Sequence, residues 1–327
     1  MAACTEFSLI ENYFNRQSTL RKDVRLGIGD DAAVLQLSPD EQLVVTTDTL
    51  VEGVHFPSDT SPFDIGYKLM AVNLSDLAAM GAEPRWASLA LTLPNTNQDW
   101  LEQFSAGLFE LANKYAVQLI GGDTTQGSLT LSLTLHGVVQ TEQFLSRDGA
   151  QVGDAIVVSG HLGDAGLALQ KIFSNEDIEP ELLSRLNKPT PRVELGRSLV
   201  GLAHACVDIS DGLIADLGHV LTASRSSSAL GADLLLEDLP TSDSIKTVTA
   251  TGDWSLPLAA GDDYELCFTI TESKLQQLAA ASVQVTRIGT VTDRPGIRCL
   301  LENGKQIDDD WHSYEHFSSA KKTESIR

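Results

Sequence analysis

Apolar and polar positions along the chain recur with two periods, and these mark out helices and strands in alternation. Phe7, Ile10 and Phe14 fall on one side of a short amphipathic helix over residues 6–14. Leu43–Thr47 is a β-branched strand ending at Asp48. Phe63–Met80 reads as a helix closed by Gly81 at a C-cap position. Trp86–Leu93 is a strand stopped by Pro94, and Gln98–Tyr115 a helix with Asp99 at its positive dipole end. Val117–Ile120 and Leu129–Val139 read as strands either side of a Gly-rich turn.

The alternation then starts again. Ala155–Ser159 is a strand, followed by a helix over Asp164–Phe173 and another over Pro191–Leu202, with proline at an early position. Strands are expected at Ala205–Asp208, Ala232–Leu236, Leu266–Ile270 and Val285–Val291, with helices at Gly212–Ala223 and Glu272–Ala281. This is a mixed α/β pattern in two halves of similar size, without a close internal repeat. The boundary is placed near Arg147, giving an N-terminal α/β domain over 1–146 and a C-terminal α/β domain over 147–317. The last residues, 318–327, read as a disordered tail.

Length and charge narrow the function. A chain of 327 residues suits two domains, and 42% hydrophobic residues give each a core. Asp and Glu number 45 against 23 Lys and Arg, a formal charge of −22. Such a surface repels nucleic acid and anionic membranes, so any anionic ligand must arrive with cations or meet backbone N–H groups. The four cysteines (Cys4, Cys206, Cys267, Cys299) form no C-x-x-C pair, which argues against a zinc ribbon and for a reducing compartment. The N-terminus has no basic region leading into an apolar core, and no apolar run approaches a membrane span. A soluble cytoplasmic protein is expected.

The informative feature is the placing of the aspartates, many of them beside Gly or a hydroxyl residue where strand and turn should meet. Asp30 and Asp31 follow Gly27-Ile28-Gly29; Asp48 follows Thr46 and Thr47; Asp76 lies in Asn73-Leu74-Ser75-Asp76; Asp123 follows Gly121-Gly122. Asp208 and Asp211 flank Ile209-Ser210, and Asp262-Asp263 precede Tyr264-Glu265. Carboxylate and hydroxyl oxygens are what Mg²⁺ binds, commonly together with water and nucleotide phosphate. Each motif is weak by itself. Gly27-x-Gly29-x-x-Ala32 would set two carboxylates against a pyrophosphate, Gly122-x-x-x-x-Gly127-Ser128 lacks the P-loop lysine, and Asp211 or Ser210 would serve equally as a helix cap. Asp59 and the run Asp308-Asp309-Asp310 read as solvated surface.

Taken in order, GIGDDAAV, TTDTLVEGVHF, NLSDLAAMGA, LIGGDTT, RDGAQVGD, DISDGL and GDDYEL closely resemble the thiamine-monophosphate kinase family. That family belongs to the superfamily of aminoimidazole ribonucleotide synthetase and selenophosphate synthetase, and the resemblance spans about Phe7–Phe317. It implies an aminoimidazole ribonucleotide synthetase-like fold of two domains, an N-terminal domain that dimerises through its sheet, and an active site between the domains. It further implies Mg²⁺ ligands at Asp30, Thr46, Thr47, Asp48, Asp76, Asp123 and Asp208, with Asp211 holding a further ion. ATP would meet Gly122, Asp123, Arg147 and Ser210. His55, Glu265 and an aromatic near the C-terminus would line the thiamine phosphate pocket, the aromatic falling on Tyr314 with Trp311 close by.

The implied reaction is transfer from ATP to thiamine monophosphate, giving thiamine diphosphate and ADP, the last step of thiamine diphosphate biosynthesis. The chemistry agrees with it. Three Mg²⁺ would neutralise aspartates 30, 48, 76, 123, 208 and 211. The acceptor phosphate is already largely dianionic at neutral pH, so no general base is needed, and no catalytic side chain is assigned. Glu265 would pair with the aminopyrimidine or the thiazolium, and Tyr314 would stack on a ring. A selenophosphate synthetase-like enzyme needs a reactive residue in a Gly-rich N-terminal segment, and Cys4 has no glycine near it. A non-catalytic nucleotide- or cation-binding homologue is the other alternative, against which every motif aspartate is present.

Overall fold

The computed structural model describes residues 6–15, 17–224, 229–281, 283–307 and 311. The chain divides into two compact units. One contains the residues up to Leu77 and Ala82–Glu142, the other Ala78–Gly81 and the chain from Gln143.

The N-terminal unit opens with α1 (Glu6–Leu9), which runs into a π-helical turn, Ile10–Phe14. A small antiparallel pair follows, β1 (Val24–Leu26) and β2 (Val34–Leu35). The main elements are β3 (Glu41–Val51), α2 (Pro62–Ala79), β4 (Glu83–Leu93), α3 (Gln98–Lys114), β5 (Gln118–Gln126) and β6 (Thr130–Gln140). The four long strands form one sheet in the order β3-β6-β4-β5. β4 therefore lies inside the sheet, so Trp86–Leu93 leaves no edge exposed; the edges are β3 and β5.

Helix α3 follows its sequence closely. Asn97 caps it by accepting from the N–H groups of Asp99 and Trp100, and Lys114 sits in its last turn. Leu101, Phe104, Leu108 and Leu111 form the buried stripe, each contributing about 1.5–3 kcal/mol. α2 and α3 approach at glycines. A Cβ on Gly107 would stand 1.9 Å from the Phe63 carbonyl oxygen, and one on Gly66 2.1 Å from that of Phe104.

Three elements differ from the pattern-based reading. β3 continues past Asp48 to Val51, because the alternation of inward and outward residues continues. The expected Gly-rich turn is strand: β5 runs through Gly121-Gly122-Asp123 to Gln126, paired in parallel with β4. Gly122 is demanded by a close approach, since a Cβ there would lie 1.9 Å from the Leu89 carbonyl oxygen. The helix expected over Pro191–Leu202 is only Val193–Leu199.

The C-terminal unit holds β7 (Ala155–Val158), α4 (Asp164–Ser174), α5 (Pro180–Asn187), α6 (Val193–Leu199), β8 (Ala205–Asp208), α7 (Leu213–Ala223) and β9 (Gly231–Leu235). After these come α8 (Asp243–Thr249), α9 (Ser255–Ala259), β10 (Leu266–Ile270), α10 (Glu272–Ala280), β11 (Thr286–Thr292), β12 (Gly296–Leu300) and β13 (Gln306–Ile307). Its seven strands are ordered β13-β12-β9-β11-β7-β10-β8. Ile156, Val158, Val207, Leu217, Leu234 and Cys267 belong to its main core. Because β10 is antiparallel to both β7 and β8, the loops after β7 and β8 and the loop before β10 meet at one end of the sheet.

Candidate active site residues

At the β5 edge of the N-terminal sheet lies a cavity of about 910 Å³. The loop Ile28–Ala33 forms one wall, Gly121–Thr124 another, and Ser88 and Phe14 close it further. Asp30, Gly122 and Asp123 therefore share one cavity. Asp30 Oδ1 accepts from the Asp31 N–H at 2.8 Å, and Gly29 has a φ of 111°, a left-handed conformation that suits glycine.

Thr46, Asp48 and Asp76 meet elsewhere, where the inner face of β3 packs on α2. The Thr46 hydroxyl donates to Asp76 Oδ2. Burial, and after it the charge of Asp76, pushes the Asp48 carboxyl from its ordinary 3.8 up to about 7. Asp48 Oδ2 is buried without a hydrogen-bond partner. Two carboxylates so placed, one with an orphaned oxygen, fit a divalent cation. No group of three or more Asp, Glu, His or Cys side chains converges on a metal position among the described residues.

Thr47 turns the other way, its hydroxyl 2.9 Å from that of Thr134. Asp123 is in register with Ala90, Ser132 and Thr49, on the face opposite to Asp48. It also lies on the opposite edge strand, three strand spacings away, on the order of 14 Å along the sheet. Asp48 and Asp123 do not bracket one point within this sheet. Of the aspartates expected at strand ends, Asp48 and Asp123 lie inside strands, Asp76 lies inside α2, and Asp208 ends β8.

His55 Nδ1 accepts from the Val51 N–H at 3.0 Å, tying the ring to the turn after β3. Arg147 lies in the second unit, where its carbonyl accepts from the Ser224 hydroxyl at 3.3 Å. Tyr314, the tail 318–327 and the run Asp308–Asp310 lie outside the described residues; Trp311 is partly buried against the C-terminal core.

In the C-terminal unit Asp208, Ser210 and Asp211 follow β8, and sequence reasoning missed what holds them. Asp216, in the first turn of α7, accepts on Oδ2 from the N–H groups of Ser210, Asp211 and Gly212 at 3.0–3.1 Å. Ser210 and Asp211 thus donate their backbone N–H groups to a cap supplied from within the helix. Burial and then the charge of Asp211 push Asp216 up to about 6, against those three bonds. Across the sheet end, Glu265 is fully buried and accepts from Arg185, Arg192 and Ser159. Neighbouring Asp263, driven well above the usual carboxylate range by burial, accepts from the Gly163 N–H at 2.9 Å.

Comparison with known proteins assigns the family. Residues 29–139 match the model for the AIR synthase related protein N-terminal domain, and residues 151–302 that for the C-terminal domain. The chain is 46% identical to thiamine-monophosphate kinase of Escherichia coli K12 over 97% of its own length and 99% of the relative's. It belongs to the thiamine-monophosphate kinase family.

Solved members agree. The thiamine-monophosphate kinase of Stenotrophomonas maltophilia K279a superposes with a TM-score of 0.82 at 47% identity, covering 90% of this chain and 96% of that one. AaThiL complexed with AMPPCP and TMP gives 0.74 at 30% identity, covering 96% and 97%. The fold is the two-domain α/β architecture of this thiamine-monophosphate kinase family, and the chain is an enzyme of the kinase class. Among the described residues no helix is long and apolar enough to cross a membrane.

Proposed function

We propose that the protein moves the γ-phosphoryl group of ATP onto the phosphate of thiamine monophosphate in one in-line step, releasing thiamine diphosphate and ADP. The observation that carries this reading is the buried Asp48–Asp76 pair with its orphaned oxygen, in a chain whose relatives are named for this reaction. Asp30, Thr46, Thr47, Asp48, Asp76, Asp123 and Asp208 are assigned to Mg²⁺, and Asp211 to a further ion. Bound there, Mg²⁺ supplies charge neutralisation for the phosphates. Gly122, Asp123, Arg147 and Ser210 are assigned to ATP, and His55, Glu265 and Tyr314 to the thiamine phosphate pocket, with Trp311 the alternative aromatic. The acceptor needs no base, because its second ionisation, near pH 6, is largely complete at neutral pH. The cytoplasm, where thiamine diphosphate synthesis ends, is the proposed location.

γ-Labelled ATP with either thiamine or thiamine monophosphate tests this. Label is expected in thiamine diphosphate, with ADP as coproduct, and thiamine should be a poor acceptor. Label in free phosphate with AMP would favour a selenophosphate synthetase-like reaction, and ATP binding without turnover a non-catalytic homologue.

A homodimer is part of the same reading. β3 is an eleven-residue edge strand without proline or lysine, and its outward Leu43 and Val45 are 46% and 52% exposed. An uncovered edge of that length and character pairs readily with a second copy. Light scattering at micromolar concentration is expected to give twice the chain mass; a fully active species near 35.2 kDa would contradict the assembly.

A further inference from the structure

Glu265 sits at the junction of the three loops that meet at the end of the C-terminal sheet, and none of it is exposed. Its carboxylate has about four acceptor positions. Arg192 takes two, through Nε on Oε2 at 2.5 Å and Nη2 on Oε1 at 2.6 Å. The Ser159 hydroxyl takes a third on Oε2 at 2.6 Å, and Arg185 Nη2 the fourth on Oε1 at 3.0 Å. Gly160 roofs the group, for a Cβ there would lie 2.0 Å from Oε1. A ligand donor can reach Glu265 only by replacing a donor already present.

The four donors are unequal. Arg192 forms a two-pronged fork, the strongest geometry between a guanidinium and a carboxylate. Ser159 is locked at both ends, since its oxygen also accepts from the Leu266 N–H at 2.9 Å. Arg185 makes one longer bond, and the same nitrogen is divided between the His161 and Asp263 carbonyls at 3.3 Å. Its Nε and Nη1 have no hydrogen-bond partner among the described residues, and its side chain is 22% exposed. Arg185 is the donor that is cheapest to exchange.

We infer that the acceptor's exocyclic amine binds Glu265 in place of Arg185, while Arg192 is the positioning residue that keeps the carboxylate aimed. This rests on the kinase reading and refines the assignment of Glu265 within it. Exchange of one donor for another leaves no buried acceptor unsatisfied, so the cost of opening the site is small. It also moves one guanidinium away from a substrate that carries a thiazolium charge. The ligand class is therefore an aminopyrimidine joined to a cation.

The two arginines should respond with opposite signs. Arg192→Lys keeps the charge and removes the fork. It is expected to raise the KM and calorimetric Kd for thiamine monophosphate by about ten- to a hundredfold, with the KM for ATP unchanged. Arg185→Ala and Arg185→Gln are expected to leave those values unchanged or lower them. With the analogue whose amine is replaced by an oxo group, the penalty of Arg192→Lys should largely vanish, which a merely structural role would not produce. Thermal melting checks that each variant is folded. Equal losses in the Arg185 and Arg192 variants, or the same penalty with both ligands, would overturn the inference. Absence of turnover in the wild type would instead overturn the kinase reading, and the calorimetric order of affinities would still decide this one.

Discussion

Asp48→Asn is expected to lower turnover by two or more orders of magnitude while making the metal-free protein more stable. The two effects have one cause. In the absence of a cation, Asp48 and Asp76 are like charges in a partly buried place, and one Asp48 oxygen has no partner. Asn keeps the shape and removes one charge, so the resting protein loses a repulsion. The site that holds Mg²⁺ against phosphate loses the same charge, and the transition state loses an electrostatic contribution worth about a hundredfold or more. EDTA should abolish wild-type activity and Mg²⁺ restore it. Asp123→Asn should show a similar loss of turnover without the gain in stability, because Asp123 is exposed on the other face and other edge of the sheet. Steady-state assays and melting curves in EDTA separate the cases. Near-wild-type turnover in both variants would remove the metal assignment, and a less stable Asp48→Asn would remove its electrostatic explanation.

What the sequence disclosed followed the range of the interactions involved. α3 was legible because its cap, buried stripe and terminal lysine are all local. The order of the motif aspartates was legible for the same reason. The path of the chain around them was not. Gly121-Gly122 reads as a turn, yet Gly122 is there because β5 passes close to the Leu89 carbonyl, a contact between strands. Asp48 and Asp123 read as a pair because both stand beside threonines, and only the strand order β3-β6-β4-β5 sends them to opposite edges. Arg185 and Arg192 lie 80 and 73 residues from Glu265, so no spacing rule links them. Asp216 was the one omission with a local signal: an acidic residue in the first helical turn, four residues after Gly212, is well placed to gather the preceding N–H groups.

The pH dependence of stability should carry the same signature. Asp48 is raised to about 7 from an ordinary 3.8, and Asp216 to about 6. A carboxyl whose folded pKa exceeds its unfolded one binds its proton more tightly when folded. Its contribution to stability is fully present below the unfolded value and is lost as pH rises through the folded one. In EDTA these two groups should therefore lower the melting temperature as pH goes from about 5 to 8. Each kcal/mol corresponds to about 2–4 °C for domains of this size. Mg²⁺ competes with the proton at Asp48 and prefers the ionised carboxylate, so its stabilisation should grow over the same window. Comparison with Asp48→Asn isolates the group, since every other titration is common to both proteins. The variant's advantage in EDTA should be small at pH 5 and widen by several degrees by pH 8, and saturating Mg²⁺ should reverse it at pH 8. A difference between the two proteins that stays constant from pH 5 to 8 would show that Asp48 does not titrate there, and that no unsatisfied charge waits at that position for a cation.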